Sequence, residues 1–219
     1  MLKCLKTLGA AAAAAVLLAA PANAAPVIDW NTGGAGEGGT ISWDGTNLVG
    51  SEIPLGFMSI VNAPTGNGVY PVTGTASGQG GGGFASLDFN TGAGGDNFIT
   101  IMGCVPDLNI GINAGGDCEP VALMDGTFNS WMTNGHGLLN GSGVDTKAAE
   151  LLEAINFPAD LPWEFFGFAL TTETMTPNGT PFDVISTDIK NTAVPEPATM
   201  MLLGTGLLAA FRARRRQQV

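Results

Sequence analysis

The clearest structural signal in the chain is FASLDF, residues 84–89, whose side chains alternate between two faces. Ala85, Leu87 and Phe89 fall on one face and the other three residues fall on the opposite face, which is the period of a β-strand. Similar runs recur on both sides, separated by clusters of Gly, Asn, Asp and Pro. These runs cover residues 27–30, 40–43, 57–61, 97–102, 121–124, 127–132, 163–172 and 182–189. So many strands predict a mainly β domain, an antiparallel β-sandwich or jelly-roll-like fold.

Residues 146–156 have the period of a helix instead. Apolar residues recur at i, i+3, i+4 and i+7 from Ala148, whereas Lys147, Glu150 and Glu153 fall on the other face. A Phe-Pro pair follows, and proline disfavours helix in the residue before it. We therefore expect one short amphipathic helix, which packs across a sheet or covers an open end of the domain.

The charge of the chain is strongly asymmetric. The chain has 219 residues and a formal net charge of -11, and six of its eight basic residues lie in the two terminal segments. Between residues 25 and 194 only Lys147 and Lys190 are basic, against eighteen acidic residues, which gives −16. Nucleic acids and anionic lipids require positive charge, so this domain is not expected to bind either of them.

Two of the three cysteines are candidates for a disulfide. Cys4 lies in the N-terminal segment, and Cys104 and Cys118 remain. In an exported chain an even number of cysteines predicts a bond, and this bond would close a short loop and contribute about 3 kcal/mol. The alternative is free or metal-bound thiols, but no matching cluster of His and Cys accompanies the pair.

The N-terminus has the three parts of a secretory signal peptide. Lys3 and Lys6 form the positive region, and residues 8–20 form an apolar helix. Ala22 and Ala24 are the small residues at the two positions that signal peptidase reads. We predict cleavage after Ala24, which exports the rest of the chain.

The C-terminus also has three parts in a fixed order. A Pro195-Glu196-Pro197 tripeptide precedes an uncharged apolar stretch, residues 198–211, which is predicted to be a transmembrane helix. As a helix the stretch reaches only about 21 Å, short of the ~30 Å hydrocarbon core, so it is a marginal anchor. Basic residues after it would hold that end in the cytoplasm. They are Arg212, Arg214, Arg215 and Arg216.

This ending resembles the PEP-CTERM sorting signal, and the resemblance covers residues 194–219. It implies recognition of Pro195, Glu196 and Pro197 by an exosortase-like membrane protease, removal of the helix, and delivery to the cell surface or an extracellular matrix. Two prolines would present an extended backbone just outside the membrane, which suits recognition. The alternative is a plain tail anchor, although such an anchor usually has closer to 20 apolar residues.

These signals divide the chain into five segments. The prediction is a signal peptide, an exported glycine-rich acidic β domain, a linker with the Pro-Glu-Pro motif, a transmembrane helix and a cytoplasmic tail. Their bounds are residues 1–24, 25–190, 191–197, 198–211 and 212–219.

Acidic loops make a calcium site conceivable. The segment GAGGDNF, residues 92–98, partly matches a calcium-binding nonapeptide, but that motif works in stacked copies and occurs once here, so a hairpin or loop is preferred. Calcium takes roughly 6–8 oxygen ligands, which distant loops could supply together. The candidate ligands are Asp88, Asn90, Asp96, Asp117, Glu119 and Asp125. We expect no other metal and no cofactor.

The aromatic residues suggest a second kind of site. Tryptophans that gather on one face would form a platform for sugar rings, but most are expected in the core. The aromatic candidates are Trp30, Trp43, Trp131, Trp163 and Tyr70.

No catalytic residue is predicted. His136 lies in an Asn-Gly-His-Gly turn, and no nucleophile-elbow motif accompanies it. The sequons at Asn140 and Asn178 are interpreted as turns.

The sequence thus predicts a non-enzymatic, exported protein of the cell surface or a biofilm-like matrix, sorted by an exosortase-type system. Exopolysaccharide is a candidate partner. One alternative is a carbohydrate-binding module, with or without calcium, which requires exposed tryptophans beside acidic or amide side chains. Another is an extracellular hydrolase, which requires two converging carboxylates.

Overall fold

Eight antiparallel strands close into a barrel in the computed structural model of the chain, because the last two strands pair with each other. The structure describes residues 24–35, 37–78, 83–135, 137–172, 178, 181–194, 204, 206 and 207. Within this part, the β domain is a unit that spans Ala25–Val194.

Twelve strands lie in the described residues. They are β1 (Val27–Asn31), β2 (Gly38–Trp43), β3 (Leu48–Leu55), β4 (Phe57–Val61), β5 (Gly68–Pro71), β6 (Ala76–Ser77), β7 (Gly83–Thr91), β8 (Asn97–Gly103), β9 (Val121–Thr133), β10 (Leu138–Lys147), β11 (Trp163–Thr172) and β12 (Phe182–Ala193). Short 3₁₀ turns cover Gly33–Ala35, Gly94–Asp96 and Pro106–Leu108.

The ring runs β11, β10, β9, β8, β7, β3, β2, β12 and back to β11. On the edge of β12 that faces away from β11, the beginning of the strand pairs with β2 and its later part pairs with β1. Strands β4 and β5 continue outward from β1, and β6 pairs with β7. The prediction of a mainly β, antiparallel domain is confirmed, whereas the sandwich or jelly roll is wrong because the β11–β12 pairing closes the sheet.

The barrel interior follows the alternation that the sequence predicted. In β7, Ala85, Leu87 and Phe89 are all fully buried. Irregular pairing lets the strands bend around the ring: in β11 the buried positions change phase between Phe165 and Phe168, where the register with β12 shifts. Such bulges increase local twist and help a sheet to close.

The predicted helix is present but shorter than expected. Helix α1 spans Ala149–Ala154. Two residues after its end, Asn156 adopts the left-handed conformation (φ 52) before Phe157. Its buried residues Leu151 and Leu152 join the barrel core. Lys147, which was predicted on the polar face of this helix, is instead the last residue of β10 and is buried.

Several strand bounds differ from the predicted ones. Residues 121–124 and 127–132 form one strand, β9, and β12 continues to Ala193. Asn191 is therefore a buried strand residue, and the linker predicted over 191–197 does not begin until after β12. Strands β3, β5, β6 and β10 were not predicted.

Candidate functional site

Most of the predicted sorting residues lie outside the described part of the chain. This holds for Ala22, for Pro195, Glu196 and Pro197, and for Arg212, Arg214, Arg215 and Arg216. Of the predicted cleavage residues, Ala24 is described and exposed. Within the stretch 198–211 the structure describes Gly204, Gly206 and Leu207, which are helical. Across the described residues, no helix has the length and apolar character needed to cross a membrane.

The predicted disulfide is present. Cys104 and Cys118 are bonded, with their Cα atoms 5.8 Å apart, and they close a loop over a sequence separation of 14. Cys104 is fully buried, and its backbone exchanges two hydrogen bonds with Thr73 (3.0 and 2.8 Å). The bond therefore ties the loop that follows β8 to the body of the domain.

The calcium candidates have separate structural surroundings. Asp88 Oδ1 accepts a hydrogen bond from the backbone N–H of Glu52 (2.9 Å), where β3 bulges and Glu52 has a φ of 52°. Asp125 Oδ1 accepts one from Thr100 Oγ1 (2.8 Å). Thr100 pairs with both aspartates, so they lie roughly 10 Å apart, two strand spacings.

The other calcium candidates lie in two places, the connection between β7 and β8 and the loop that the disulfide closes. Asn90 Oδ1 accepts from the N–H of Gly92 (2.8 Å), and Asp96 lies in the turn between β7 and β8. Residues 92–96 thus connect the hairpin of β7 and β8, and residues 97–98 begin β8. Asp117 and Glu119 are exposed beside the disulfide. The described residues contain no cluster of three or more His, Cys, Asp or Glu side chains that could hold a metal ion.

The tryptophans do not gather on one face. Trp30 and Trp163 are in the core. Trp43 and Trp131 are partly buried against it, on β2 and β9, which lie four strands apart either way round the ring. Tyr70 donates its hydroxyl to the carbonyl oxygen of Gly66 (3.0 Å).

The two sequons and the histidine have different outcomes. Asn140 is a residue of β10, so its interpretation as a turn is wrong. Asn178 is described, with a φ of 56°, but the rest of its sequon is outside the described residues. His136 also lies outside them.

The most unusual site is a buried polar trio inside the barrel, which consists of Asp145, Lys147 and Asn191. The side chains of Asp145 and Lys147 are both 0% exposed, and Lys147 Nζ donates to Asp145 Oδ1. Asn191 Nδ2 donates to Asp145 Oδ2 (2.7 Å). One carboxylate therefore holds an amine on one oxygen and an amide on the other.

The fold explains how these residues meet. Asp145 and Lys147 are two positions apart on β10, so they share its inward face. Asn191 faces inward from β12, and β11 lies between these two strands. The hydrogen bonds of the trio thus cross β11 on the inner side of the barrel. Two inward residues of β11 lie beside them: Trp163 pairs with Asp145, and Phe165 pairs with Asn191.

The surroundings of the trio are apolar. Lys147 Nζ lies 5.1 Å from the centroid of the Trp163 ring, and the Asn191 amide nitrogen lies 3.7 Å from Met124 Sδ. Burial lowers the pKa of Lys147 well below its ordinary value. Asn191 Oδ1 is buried and has no hydrogen-bond partner among the described residues.

Sequence reasoning missed this trio. The available signal was GVDTK, residues 143–147, in which a strand period places Gly143, Asp145 and Lys147 on one face. Opposite charges two residues apart on a strand can pair. The partner Asn191 is far away in sequence, and nothing in its neighbourhood marks it.

A second charged cluster lies on a partly exposed face of β1 and β12. Lys190 Nζ lies 2.8 Å from Asp188 Oδ2 and 3.9 Å from Asp29 Oδ2. Burial raises the pKa of Asp29 to about 7, the neighbouring Asp188 adds to this effect, and Lys190 opposes it. The cluster connects the outer layer to the barrel.

Comparison with known proteins identifies the C-terminal segment. Residues 193–216 match the family model of the PEP-CTERM protein-sorting motif, so the predicted resemblance is confirmed for this segment. The motif implies export, transient membrane anchoring and processing by an exosortase-type membrane protease. Neither the curated proteins nor the solved structures include a significant match to the chain.

Proposed function

We propose that this chain is a non-enzymatic structural component of the cell surface or of an extracellular, exopolysaccharide-containing matrix. In this proposal an exosortase-type protease removes the tail, the barrel acts without a cofactor, and its working partner is the matrix polymer.

One observation carries the proposal, namely the match of residues 193–216 to the sorting motif. The last strand of the barrel ends at Ala193, so the signal begins where the folded domain ends. The tripeptide follows the last strand closely in the sequence, which suits processing by a membrane protease that leaves the domain folded.

The features of the domain agree with a structural role. Its disulfide between Cys104 and Cys118 is typical of exported proteins, which work in oxidising surroundings. Its formal charge of −16 favours a polymer without dense negative charge, because like charges repel. The tryptophans are in the core or on opposite strands, so we do not favour a sugar-stacking platform.

The sorting step is tested by replacing Pro195, Glu196 and Pro197 together with alanine in the native host. We expect the wild-type protein at the surface or in the matrix without its tail, and the variant in the membrane fraction with its tail. A matched control is Pro64→Ala, because Pro64 is exposed in the barrel domain. If the triple variant fractionates like the wild type and loses its tail, the sorting proposal is wrong.

The structural role needs a separate test. Purified protein is mixed with the exopolysaccharide of its host, and both cosedimentation and release of reducing sugar are measured. The proposal predicts cosedimentation without sugar release, and reduced matrix mass in a strain that lacks the protein. Release of sugar would identify a hydrolase instead. If the protein does not bind the exopolysaccharide and its loss does not change the matrix mass, the structural role is contradicted.

A further inference from the structure

The trio of Asp145, Lys147 and Asn191 brings a nucleophile, a carbonyl carbon and a proton carrier into one dry site. The Lys147 amine and the Asn191 amide contact the two oxygens of the same carboxylate. The side chains of Asp145 and Lys147 and the whole of Asn191 are 0% exposed. The amine of Lys147 and the side-chain amide of Asn191 are thus held next to the same carboxylate and away from water.

The apolar surroundings favour the reactive protonation state. Removing an ammonium and a carboxylate from water costs several kcal/mol per ion, whereas a neutral amine beside a carboxylic acid avoids this cost. Proton transfer along the hydrogen bond from Lys147 to Asp145 produces that neutral pair. A desolvated lysine amine is a nucleophile. The lowered pKa of Lys147 agrees with this state.

We propose that Lys147 and Asn191 become joined by an intramolecular isopeptide bond between Nζ and Cγ, with Asp145 as the catalytic acid and base.

The reaction balances without any further reactant. The lone pair of Lys147 Nζ attacks Asn191 Cγ and forms the new C–N bond. Half a turn of the amide about Cβ–Cγ brings Oδ1, which has no partner among the described residues, to Asp145, whose acid proton stabilises the developing oxyanion. Asp145 then carries a proton from Nζ to Nδ2. The Cγ–Nδ2 bond breaks, and one molecule of ammonia leaves.

The product removes the least favourable feature of the core. An amide replaces a buried ionisable amine, and Asp145 can hydrogen-bond to the new amide. The aromatic rings of Trp163 and Phe165 exclude water, which would otherwise compete as a nucleophile or hydrolyse the intermediate.

The position of the bond also has a mechanical consequence. It would connect β10 to β12 across β11 and reinforce the seam where the barrel closes. Asn191 lies near the end of β12, just before the sorting segment. A load applied through the C-terminal end would reach the cross-link before it could peel β12 from the sheet.

The sparse lysines allow a direct test on the full chain isolated from its host. The protein is denatured, its disulfide is reduced, and it is digested with trypsin. Between residues 25 and 194, trypsin has two cleavage sites, after Lys147 and after Lys190. Without a cross-link, the peptide 148–190 and a peptide that begins at Asn191 are released. With the cross-link, Lys147 is not cleaved, and the Asn191 peptide stays attached through it.

The expected result is this joined species, whose mass is lower by one ammonia than the sum of the peptide that ends at Lys190 with Lys147 uncleaved and the peptide that begins at Asn191. Release of an unmodified 148–190 peptide overturns the proposal and leaves the trio as a non-covalent ion pair. A loss of ammonia without joined peptides, as a succinimide would give, overturns it equally. Because this measurement uses the wild-type chain, it does not depend on whether variants fold.

Matched variants then assign the roles. Asp145→Asn keeps the shape of the side chain but removes the proton carrier, and Lys147→Arg keeps the positive charge but removes the nucleophile, so neither should form the cross-link. Lys190→Arg changes a partly exposed lysine on β12 that lies outside the trio, and this variant should cross-link like the wild type. A cross-link that forms fully in Asp145→Asn would contradict the catalytic role of Asp145.

Discussion

At the scale of single residues, Asp29 has a carboxyl group whose ionisation opposes folding. Burial, assisted by Asp188, raises its pKa from the ordinary value of 3.8 to about 7. The folded state therefore binds this proton more tightly than the unfolded chain does. The stabilisation that this tighter proton binding gives the folded state is fully present below about pH 4, and it is lost as the pH rises through about 7.

Replacing Asp29 with asparagine should remove this pH dependence. Between about pH 5 and about pH 8 the wild-type protein should lose on the order of 1–2 kcal/mol of unfolding free energy from this group, after allowance for its partial exposure. Over the same pH range, the unfolding free energy of the Asp29→Asn variant should fall by less than that of the wild type, and the difference should equal this contribution. Urea titrations at both pH values measure the difference.

Asp183→Asn is the matched control, because Asp183 is an exposed aspartate on β12. Its pH profile should follow that of the wild type. If Asp29→Asn and the wild type lose the same stability over this range, the elevated pKa of Asp29 is refuted.

At the scale of elements, strand β10 is built around glycines that bulky neighbours require. A Cβ atom at Gly143 would lie 1.9 Å from the carbonyl oxygen of Thr127 and 2.5 Å from the ring of Phe165. Gly143 also lies where the register with β9 shifts. The missing side chain therefore makes room for the aromatic core and for a bulge.

Gly143→Ala should destabilise the domain by about 1–3 kcal/mol, because the strand must move away from two neighbours at once. The measurement is the midpoint of urea denaturation. Gly115→Ala is the control, since the nearest atoms to a Cβ there are side-chain oxygens of exposed loop residues, and it should be close to neutral. An equal midpoint for Gly143→Ala and the wild type would show that β10 does not pack in this way.

The same glycines explain why sequence reasoning found some strands and missed others. Strands β7 and β8 alternate clearly, and the predicted bounds of β7, β8 and β11 are close to the observed ones. Strand β10 contains Gly141, which belongs to the sequon that was interpreted as a turn, and Gly143, and each of these glycines marks a close approach of an aromatic ring. Strand β3 contains Pro54 and a bulge at Glu52, and both features resemble a loop in a sequence.

Lys147 shows a different limit of sequence reasoning. Its spacing from Glu150 fits the polar face of a helix, and lysine is rarely buried unless it is paired. The residues that make its burial tolerable are Asp145, two positions away, and Trp163, on the next strand. Only the closed barrel brings Asn191 to the same place, so the site could not be predicted from local patterns.

At the scale of the whole molecule, the sequence reveals the sorting signal and the structure reveals the architecture of the domain. The sequence was sufficient for the sorting signal, because its order of parts is linear and the family comparison matches it at residues 193–216. It was not sufficient to distinguish a sandwich from a barrel. That distinction depends on the pairing of β11 with β12, which connects residues Trp163–Thr172 to Val184–Ala193, and alternation does not show where sheet edges meet.

Sorting by an exosortase-type protease is tested by the intact mass, with both termini sequenced, of the native protein recovered from outside its own cells. We expect a chain that begins at Ala25 and ends at or near the Pro195-Glu196-Pro197 motif, without the arginine cluster. A recovered chain that still continues through Val219 would contradict sorting by an exosortase-type protease.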